Sequence, residues 1–211
     1  MAFDYKKEYR EFYLPKAKPG LVDVPRAQFV AARGSGDPNA ADGEYQRALA
    51  VLYAVAYTVK MSRMGDHRIE GYFDFVVPPL EGFWWQEKGG AAFDIVDKSA
   101  FRWISAIRLP DFVTGAELEW AKRAVREKKG LDCGGAFLFT LEEGLCVQAM
   151  HVGPFDDEPA TIGAMHAYAE AQGFAIDLSE TRRHHEIYLT DARRVAPEKW
   201  KTVIRLPVRK M

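Results

Sequence analysis

The sequence LCVQAMHVGPFDDEPATIGAMHAYAEAQG (Leu145–Gly173) contains a strand, a turn and a helix in succession. Leu145–Val152 is predicted to be a β-strand, and the glycine, prolines and acidic residues of Gly153–Pro159 favour a turn after it. The helix that follows is predicted to end at Gly173, because glycine is common just beyond helix C-termini. Its apolar face, at helical spacing, consists of Ile162, Met165 and Ala169.

The first half of the chain has the same order of elements. Ala27–Arg33 is predicted to be a strand, and Gly34–Asn39 (GSGDPN) a turn. The turn lacks the third glycine of a dinucleotide-binding motif and the Lys-Ser/Thr of a phosphate loop, so we interpret it as structural. A helix follows with Asp42 as its N-cap. The apolar stripe of this helix consists of Tyr45, Leu49, Leu52, Tyr53, Ala56 and Val59.

Further strands and one further helix complete the two halves. The helix begins at Thr114, because Thr114 and Glu117 have the spacing of a capping box. Ala136–Leu141 is predicted to form a hairpin with Leu145–Val152 around the intervening Glu-Glu-Gly. Residues 1–19 favour an extended arm or a short helix. The remaining predicted strands are Tyr72–Val77, Trp103–Leu109, His184–Leu189 and Thr202–Val208.

These elements predict an α+β fold in one domain, made of two fused repeats over about residues 20–115 and 116–211. Short strands joined by hairpins or helices favour antiparallel sheets with helices on one face. The other face is then predicted to hold a ligand cleft between the two halves.

Composition excludes several classes of protein. The 211 residues carry a formal net charge of −1, which gives no electrostatic basis for binding nucleic acid or an anionic membrane. No apolar run reaches the roughly 20 residues of a membrane span, and the charged N-terminus is unlike a signal peptide. Cys133 and Cys146 are typical of reduced thiols, so we expect a cytoplasmic protein.

The histidines and cysteines give no known metal-binding motif. HExxH and CxxC spacings are absent, and so is the GxSxG motif of one hydrolase class. His184 and His185 are neighbours on a strand, so they point to opposite faces and cannot share one metal ion there. The sequence therefore predicts neither a metal nor a cofactor.

The strand HHEIYL (His184–Leu189) contains the carboxylate of greatest interest. Glutamate is depleted in strands, and Glu186 shares a strand face with His184 and Tyr188. The alternate residues are expected to pack against the helices, which would leave Glu186 on the opposite face. There it is either simply exposed to solvent or partly buried in the cleft. In the second case desolvation would make it a base near neutral pH or a receptor for a cation.

Aromatic residues make up 13% of the chain, and two of them are adjacent. Trp84 and Trp85 must point to opposite faces of a strand, so one of the pair is expected in the core and the other in a ligand site. The sequence leaves open which of the two faces the ligand.

Six specific segments are spread over nearly the whole chain. They are LPKAKPGLVDVP (Leu14–Pro25), GSGDPN (Gly34–Asn39), YFDFVVPPLEGFWW (Tyr72–Trp85), IRLPDFVT (Ile107–Thr114), EEGLCVQAMHVGPFDDEP (Glu142–Pro159) and HHEIYLTDARRVAPEKWKTVIRLPV (His184–Val208). With them the chain resembles the GyrI-like small-molecule-binding family, and most closely its stand-alone branch, some members of which are cyclopropanoid cyclopropyl hydrolases. The resemblance implies two βαββ modules related by a pseudo-twofold axis, with an aromatic cleft and an acidic residue, Glu186, within it.

The resemblance also implies roles for individual residues. Glu186 would activate water to open an electrophilic cyclopropane, and Tyr188 would donate a proton or orient Glu186. The alternative is a non-catalytic module that sequesters cationic aromatic drugs or binds a protein such as gyrase. Except in the case of a gyrase-binding protein, the expected partner is an aromatic small molecule, and a monomer or weak homodimer is expected. Candidate ligand-binding residues are Trp84, Trp85, Trp103, Met150 and Tyr53.

Overall fold

The computed structural model describes residues 2–41, 43–86 and 97–211, so the predicted N-cap Asp42 lies outside the described residues. The helices are α1 (Tyr5–Glu8), α2 (Arg10–Tyr13), α3 (Glu44–Met61), α4 (Gly115–Lys129) and α5 (Glu158–Ala171). The strands are β1 (Gly20–Val24), β2 (Ala27–Ser35), β3 (Leu80–Gln86), β4 (Phe101–Leu109), β5 (Ala136–Leu141), β6 (Gly144–Val152), β7 (Phe174–Ile176), β8 (His184–Tyr188) and β9 (Lys201–Lys210).

The strands form one antiparallel sheet in the order β1-β6-β9-β8-β3-β4-β2-β5, and β7 adds to β9. Within this order, β2-α3-β3-β4 and β6-α5-β8-β9 are two βαββ modules with matching strand pairings. The modules meet where β3 pairs with β8. The predicted α+β fold is therefore confirmed. The division of the chain near residue 115 stays a prediction, because β1 and β5 each pair with a strand of the other module.

The helix signals in the sequence correspond to the observed termini. The Thr114 hydroxyl accepts a hydrogen bond from the Glu117 N–H at the start of α4. Gly173 follows the end of α5 with φ of 82°, a left-handed conformation that glycine adopts without steric cost. No helix in the described part of the chain is both long and apolar enough to cross a membrane.

The predicted strand Tyr72–Val77 is wrong. This segment forms only an isolated bridge between Phe75 and Phe3, with the Val76 N–H donating to the Phe3 carbonyl. Phe75 is fully buried, so its apolar side chain fills the core without any sheet pairing. The next two residues are prolines, which cannot donate to a ladder, and β3 begins only after them at Leu80.

The predicted hairpin of β5 with β6 is also wrong. β5 pairs with β2, whereas β6 pairs with β1 and β9. Residues 20–32 run antiparallel to residues 136–148. Within them β1 pairs with β6 and β2 pairs with β5, and a two-residue link separates the two strands of each segment. Val24 is opposite Gly144 and Ala27 is opposite Leu141, so the two edges of the sheet approach each other at these links. Pairing of β5 with β2 and of β6 with β1 therefore takes the place of the predicted local hairpin.

Helices α3, α4 and α5 cover one face of the sheet, and the N-terminal helices α1 and α2 cover the other. The α5 residue Met165 packs on Ile204 of β9, and α3 packs on β2 and β4. On the opposite face, Phe12 and Tyr13 of α2 are buried against the central strands. Cys133 and Cys146 are both buried and not joined in a disulfide, as expected.

Candidate active site

The strand register places Glu186 at the centre of the molecule, on the junction of the two modules. Gly82 is opposite Glu186, and Trp84 is opposite His184. Cross-strand partners share a face, and Trp84 contacts Tyr45 of α3 at a ring-centroid distance of 5.6 Å. Glu186 therefore lies on the helix-bearing face. Its position differs from the expected one because the alternate residues of β8, His185 and Ile187, pack beneath the N-terminal helices instead.

Glu186 is held by hydrogen bonds at both carboxylate oxygens. Its Oε1 is 2.8 Å from His184 Nε2, and its Oε2 accepts from the Tyr188 hydroxyl at 2.8 Å. The Trp84 indole N–H donates to the Tyr188 oxygen at 2.9 Å. Only 7% of Glu186 is exposed, so these contacts fix a carboxylate that is nearly removed from water.

Glu158, the first residue of α5, brings a second carboxylate to the same place. One ligand atom each from Glu158, His184 and Glu186 lies within 4.8 Å of the others. Glu158 Oε1 is buried and has no hydrogen-bond partner among the residues described. Burial raises the pKa of Glu158 well above its usual range, and the charge of Glu186 adds to this effect. The raised pKa favours the protonated form of Glu158, next to a Glu186 side chain that is held by hydrogen bonds at both oxygens.

A cavity of about 930 Å³ opens above these two carboxyl groups. Its volume is in the range of ligand-binding pockets. Its wall is aromatic near Glu186, and charged residues line its outer part. Lining residues include Tyr45, Trp84, Phe101, Phe155 and Tyr188 near the carboxyl groups, and Tyr53, Lys98, Asp191, Arg193 and Arg194 further out.

The structure brings some of the predicted ligand-binding residues to this cavity. Trp84 and Tyr53 line it, and Trp103 lies fully buried beneath it with its ring 5.1 Å from that of Tyr45. Trp85 is on the other face of β3, with the Arg183 guanidinium 3.5 Å from its ring centroid. Met150 also faces away from the cavity. Ile204 is opposite Glu186 and shares its face, whereas Met150 is opposite the next residue, Val203, which points to the other face.

Sequence reasoning missed Glu158 and Tyr45 as site residues. Glu158 falls within the predicted turn Gly153–Pro159, where several carboxylates are equally plausible from sequence. Tyr45 belongs to the apolar stripe of α3, which is typical of a core position. The one signal available for these two residues was the repeated order of strand, turn and helix. Glu158 and Tyr45 are at the N-termini of the corresponding helices, α5 and α3, of the two repeats.

Gly82 allows the Trp84 and Tyr188 side chains to lie across the strand. A Cβ at this position would be 2.6 Å from Trp84 Nε1 and 2.9 Å from the Tyr188 hydroxyl oxygen. We expect Gly82→Ala to displace both side chains and to lower the free energy of unfolding by about 1–3 kcal/mol, the usual cost of overpacking. Ligand affinity should fall with it, measured by tryptophan fluorescence titration alongside chemical denaturation.

Gly20→Ala is the matched control for Gly82→Ala. Gly20 is also a strand residue, and a Cβ there would meet no atom within 4 Å. Its unfolding free energy and ligand affinity should stay at the wild-type values. Equal behaviour of the two variants would contradict the positioning role of Gly82.

The face opposite the cavity contains a buried ionic network. His185 contacts Glu143 through Nδ1 at 2.9 Å and Glu81 through Nε2 at 3.0 Å, and Arg205 donates to Glu143 at 2.7 Å. Burial alone would raise the pKa of Glu143, but His185 and Arg205 together lower it to about 2. The Tyr13 hydroxyl donates to Glu81, so the network also fastens the N-terminal segment to the sheet.

The arrangement of two βαββ modules around an acidic, aromatic cavity agrees with a known family. Residues 17–209 match the GyrI-like small molecule binding domain. The chain belongs to this family. No curated protein sequence matches it significantly.

Solved structures similar to this GyrI-like protein include two from Listeria innocua. One, described as a hydrolase, is 49% identical, with a TM-score of 0.89 over 98% of this chain and 100% of its own. Another, described as an uncharacterised conserved protein, is 52% identical, with a TM-score of 0.92 over the same shares. The C-terminal domain of EcmrR is 12% identical and has a TM-score of 0.56 over 92% of this chain and 98% of its own, so it shows the shared fold alone.

Proposed function

We propose that this GyrI-like protein hydrolyses cyclopropanoid or similar electrophilic aromatic molecules, with Glu186 as the general base. The observation that carries the proposal is the proximity of two carboxyl groups in different environments at an aromatic cavity: Glu186 is held by hydrogen bonds at both oxygens, and Glu158 is buried with a raised pKa. Carboxyl pairs whose environments separate their protonation states are suited to acid and base roles in one reaction. The hydrolase description of a relative with 49% identity is consistent with this proposal.

The reaction needs one water molecule and no redox step. Glu186 takes a proton from water while the water oxygen bonds to the cyclopropane CH₂. The ring carbon–carbon bond breaks, and its electron pair makes the conjugated dienone aromatic. The former carbonyl oxygen becomes a phenolate and takes a proton, for which Glu158 is the donor in our proposal.

Tyr188 serves in this scheme to orient Glu186. Its hydroxyl already donates to Glu186 and accepts from Trp84. Burial, reinforced by the charge of Glu186, raises the pKa of Tyr188 well above its usual range, so it stays protonated. A hydroxyl with a fixed donor and a fixed acceptor holds the carboxylate in one rotamer, which is how a base is preorganised.

The aromatic walls suit a planar substrate. The Trp84 ring lies 5.6 Å from Phe101 and 5.6 Å from Tyr45, and Phe155 lies edge-on to Tyr188 at 5.8 Å. Such rings bind a flat aromatic group by stacking and edge contacts. The site would therefore hold the conjugated ring of the substrate with its cyclopropane carbon near Glu186.

Incubation with a cyclopropane-bearing aromatic alkylator, followed by mass spectrometry, tests the proposal. We expect a product heavier by one water and dependent on the protein. Binding of the compound without that product would reject hydrolysis.

The second candidate function is non-catalytic binding of cationic aromatic molecules. Two buried carboxyl groups surrounded by aromatic rings can receive a cation through charge and cation–π contacts. This function predicts tight binding, weakened when Glu186 is neutralised, and no chemical change in the ligand. The same mass spectrometry experiment separates it from hydrolysis.

Glu158→Gln tests the proposed acid. Because the pKa of Glu158 is raised, the wild-type kcat should fall as the pH rises through that pKa and Glu158 loses its proton. Glutamine cannot donate the proton, so we expect kcat to drop by about 10²-fold, at the low end of general acid catalysis, and this falling limb to disappear. A variant that keeps the falling limb would assign the acid to another group.

A further inference from the structure

We propose that Glu158, His184 and Glu186 form a binding site for a divalent transition-metal ion such as Zn²⁺. The sequence pattern predicts no metal, because these ligands do not follow a known motif. His184 and Glu186 are two residues apart on β8, and Glu158 comes from the start of α5. Only the tertiary fold places one nitrogen and two carboxylate oxygens together.

The geometry supplies three ligand atoms of suitable types. His184 Nε2 and Glu186 Oε1 are already 2.8 Å apart, and the ligand atom of Glu158 lies within 4.8 Å of both. Zn²⁺ binds nitrogen and oxygen at about 2.0–2.2 Å, so these atoms need shift only modestly to surround an ion. The fourth position would open into the cavity, as in zinc sites that keep one place for water.

The buried Glu158 oxygen that has no hydrogen-bond partner in the described part of the chain is available to bind a metal ion. Glu158 Oε1 is buried without a hydrogen-bond partner among the described residues, and only 4% of the residue is exposed. A buried polar atom without a partner is costly, by about 1–3 kcal/mol. A metal ion would provide a partner for this oxygen.

Occupancy of the site would regulate the reaction, a consequence that rests on the proposed function. The ion would bind Glu186 through the oxygen that faces His184, and it would also bind the Glu158 side chain. Both the base and the acid would then be engaged. We therefore expect Zn²⁺ to inhibit hydrolysis and metal-free protein to be the active form.

Titration of chelator-treated full-length protein with ZnCl₂ in a calorimeter tests the site directly. We expect one ion per chain. Glu158→Gln and His184→Gln should each weaken binding by more than about 100-fold, since even second-shell changes cost up to that factor. CoCl₂ should give visible absorption bands typical of nitrogen and oxygen ligands in a site of low coordination number.

His166→Gln is the matched control, because His166 is an exposed histidine on α5. It should bind Zn²⁺ like the wild type. The proposal is overturned if the wild type takes up no Zn²⁺ at micromolar concentrations, or if Glu158→Gln binds as tightly as the wild type. If His184→Gln does not fold, the isosteric Glu158→Gln and the cobalt spectrum still decide the question.

Failure of this proposal is distinguishable from failure of hydrolysis. Calorimetry reports binding whether or not the protein turns over a substrate. Zinc binding without any turnover would retain the metal site and reject hydrolysis. Turnover in protein that does not bind zinc would reject only the metal site.

Discussion

Replacing Glu186 by glutamine is expected to lower turnover of a cyclopropane-bearing substrate by about 10²–10⁴-fold, the usual contribution of a general base. Glutamine retains the size of the side chain and an acceptor for Tyr188, but it cannot take a proton from water. The fold should therefore persist, and an uncharged aromatic substrate should still bind. Product formation by mass spectrometry and affinity by fluorescence titration measure the two effects separately.

Glu170→Gln is the control for Glu186→Gln. Glu170 is an exposed glutamate on α5, outside the cavity lining, and its neutralisation should leave turnover at the wild-type rate. Turnover by Glu186→Gln equal to that of Glu170→Gln would show that Glu186 is not the base. Loss of binding together with turnover would instead favour the binding module.

Replacing Arg205 by methionine is expected to have the largest effect on stability. Arg205 donates to Glu143, Gln148 and the Phe12 carbonyl, and only 2% of it is exposed. Its removal leaves buried acceptors without a cation, which costs about 3–5 kcal/mol when one partner of a buried ion pair is lost. Chemical denaturation should show this decrease in the free energy of unfolding.

Arg209→Met provides the comparison on the same strand. Arg209 pairs with Asp177 at 3.5 Å, but its side chain is 63% exposed. Surface pairs of this kind contribute at most about 1 kcal/mol, so the unfolding free energy should change little. A loss for Arg205→Met no greater than that for Arg209→Met would contradict the structural role of the buried network.

The elements with strong local signals were predictable from the sequence. Helix α4 begins at its capping residue Thr114, and β4 and β9 extend the predicted strands by only a few residues. Tyr72–Val77 and the β5–β6 hairpin failed because their local patterns do not show which partners are available. Pairing with Phe3 in one case, and with distant strands in the other, depends on residues far away in the chain.

For the site, the sequence determined that Glu186, His184 and Tyr188 share one strand face, because side chains alternate along a strand. It also determined that Trp84 and Trp85 point in opposite directions. Which of the two lines the cavity depends on the position of α3, and in the structure it is Trp84.

The tertiary structure alone decided which face carries the cavity and what stands beside Glu186. Glu158 is 28 residues away in sequence from Glu186, and it arrives there because α5 begins at the junction of the two modules. The raised pKa of Glu158 follows from that burial and from its neighbour Glu186. Periodicity within one strand fixes the direction of a side chain, whereas its charge environment is set by elements that the fold brings to it.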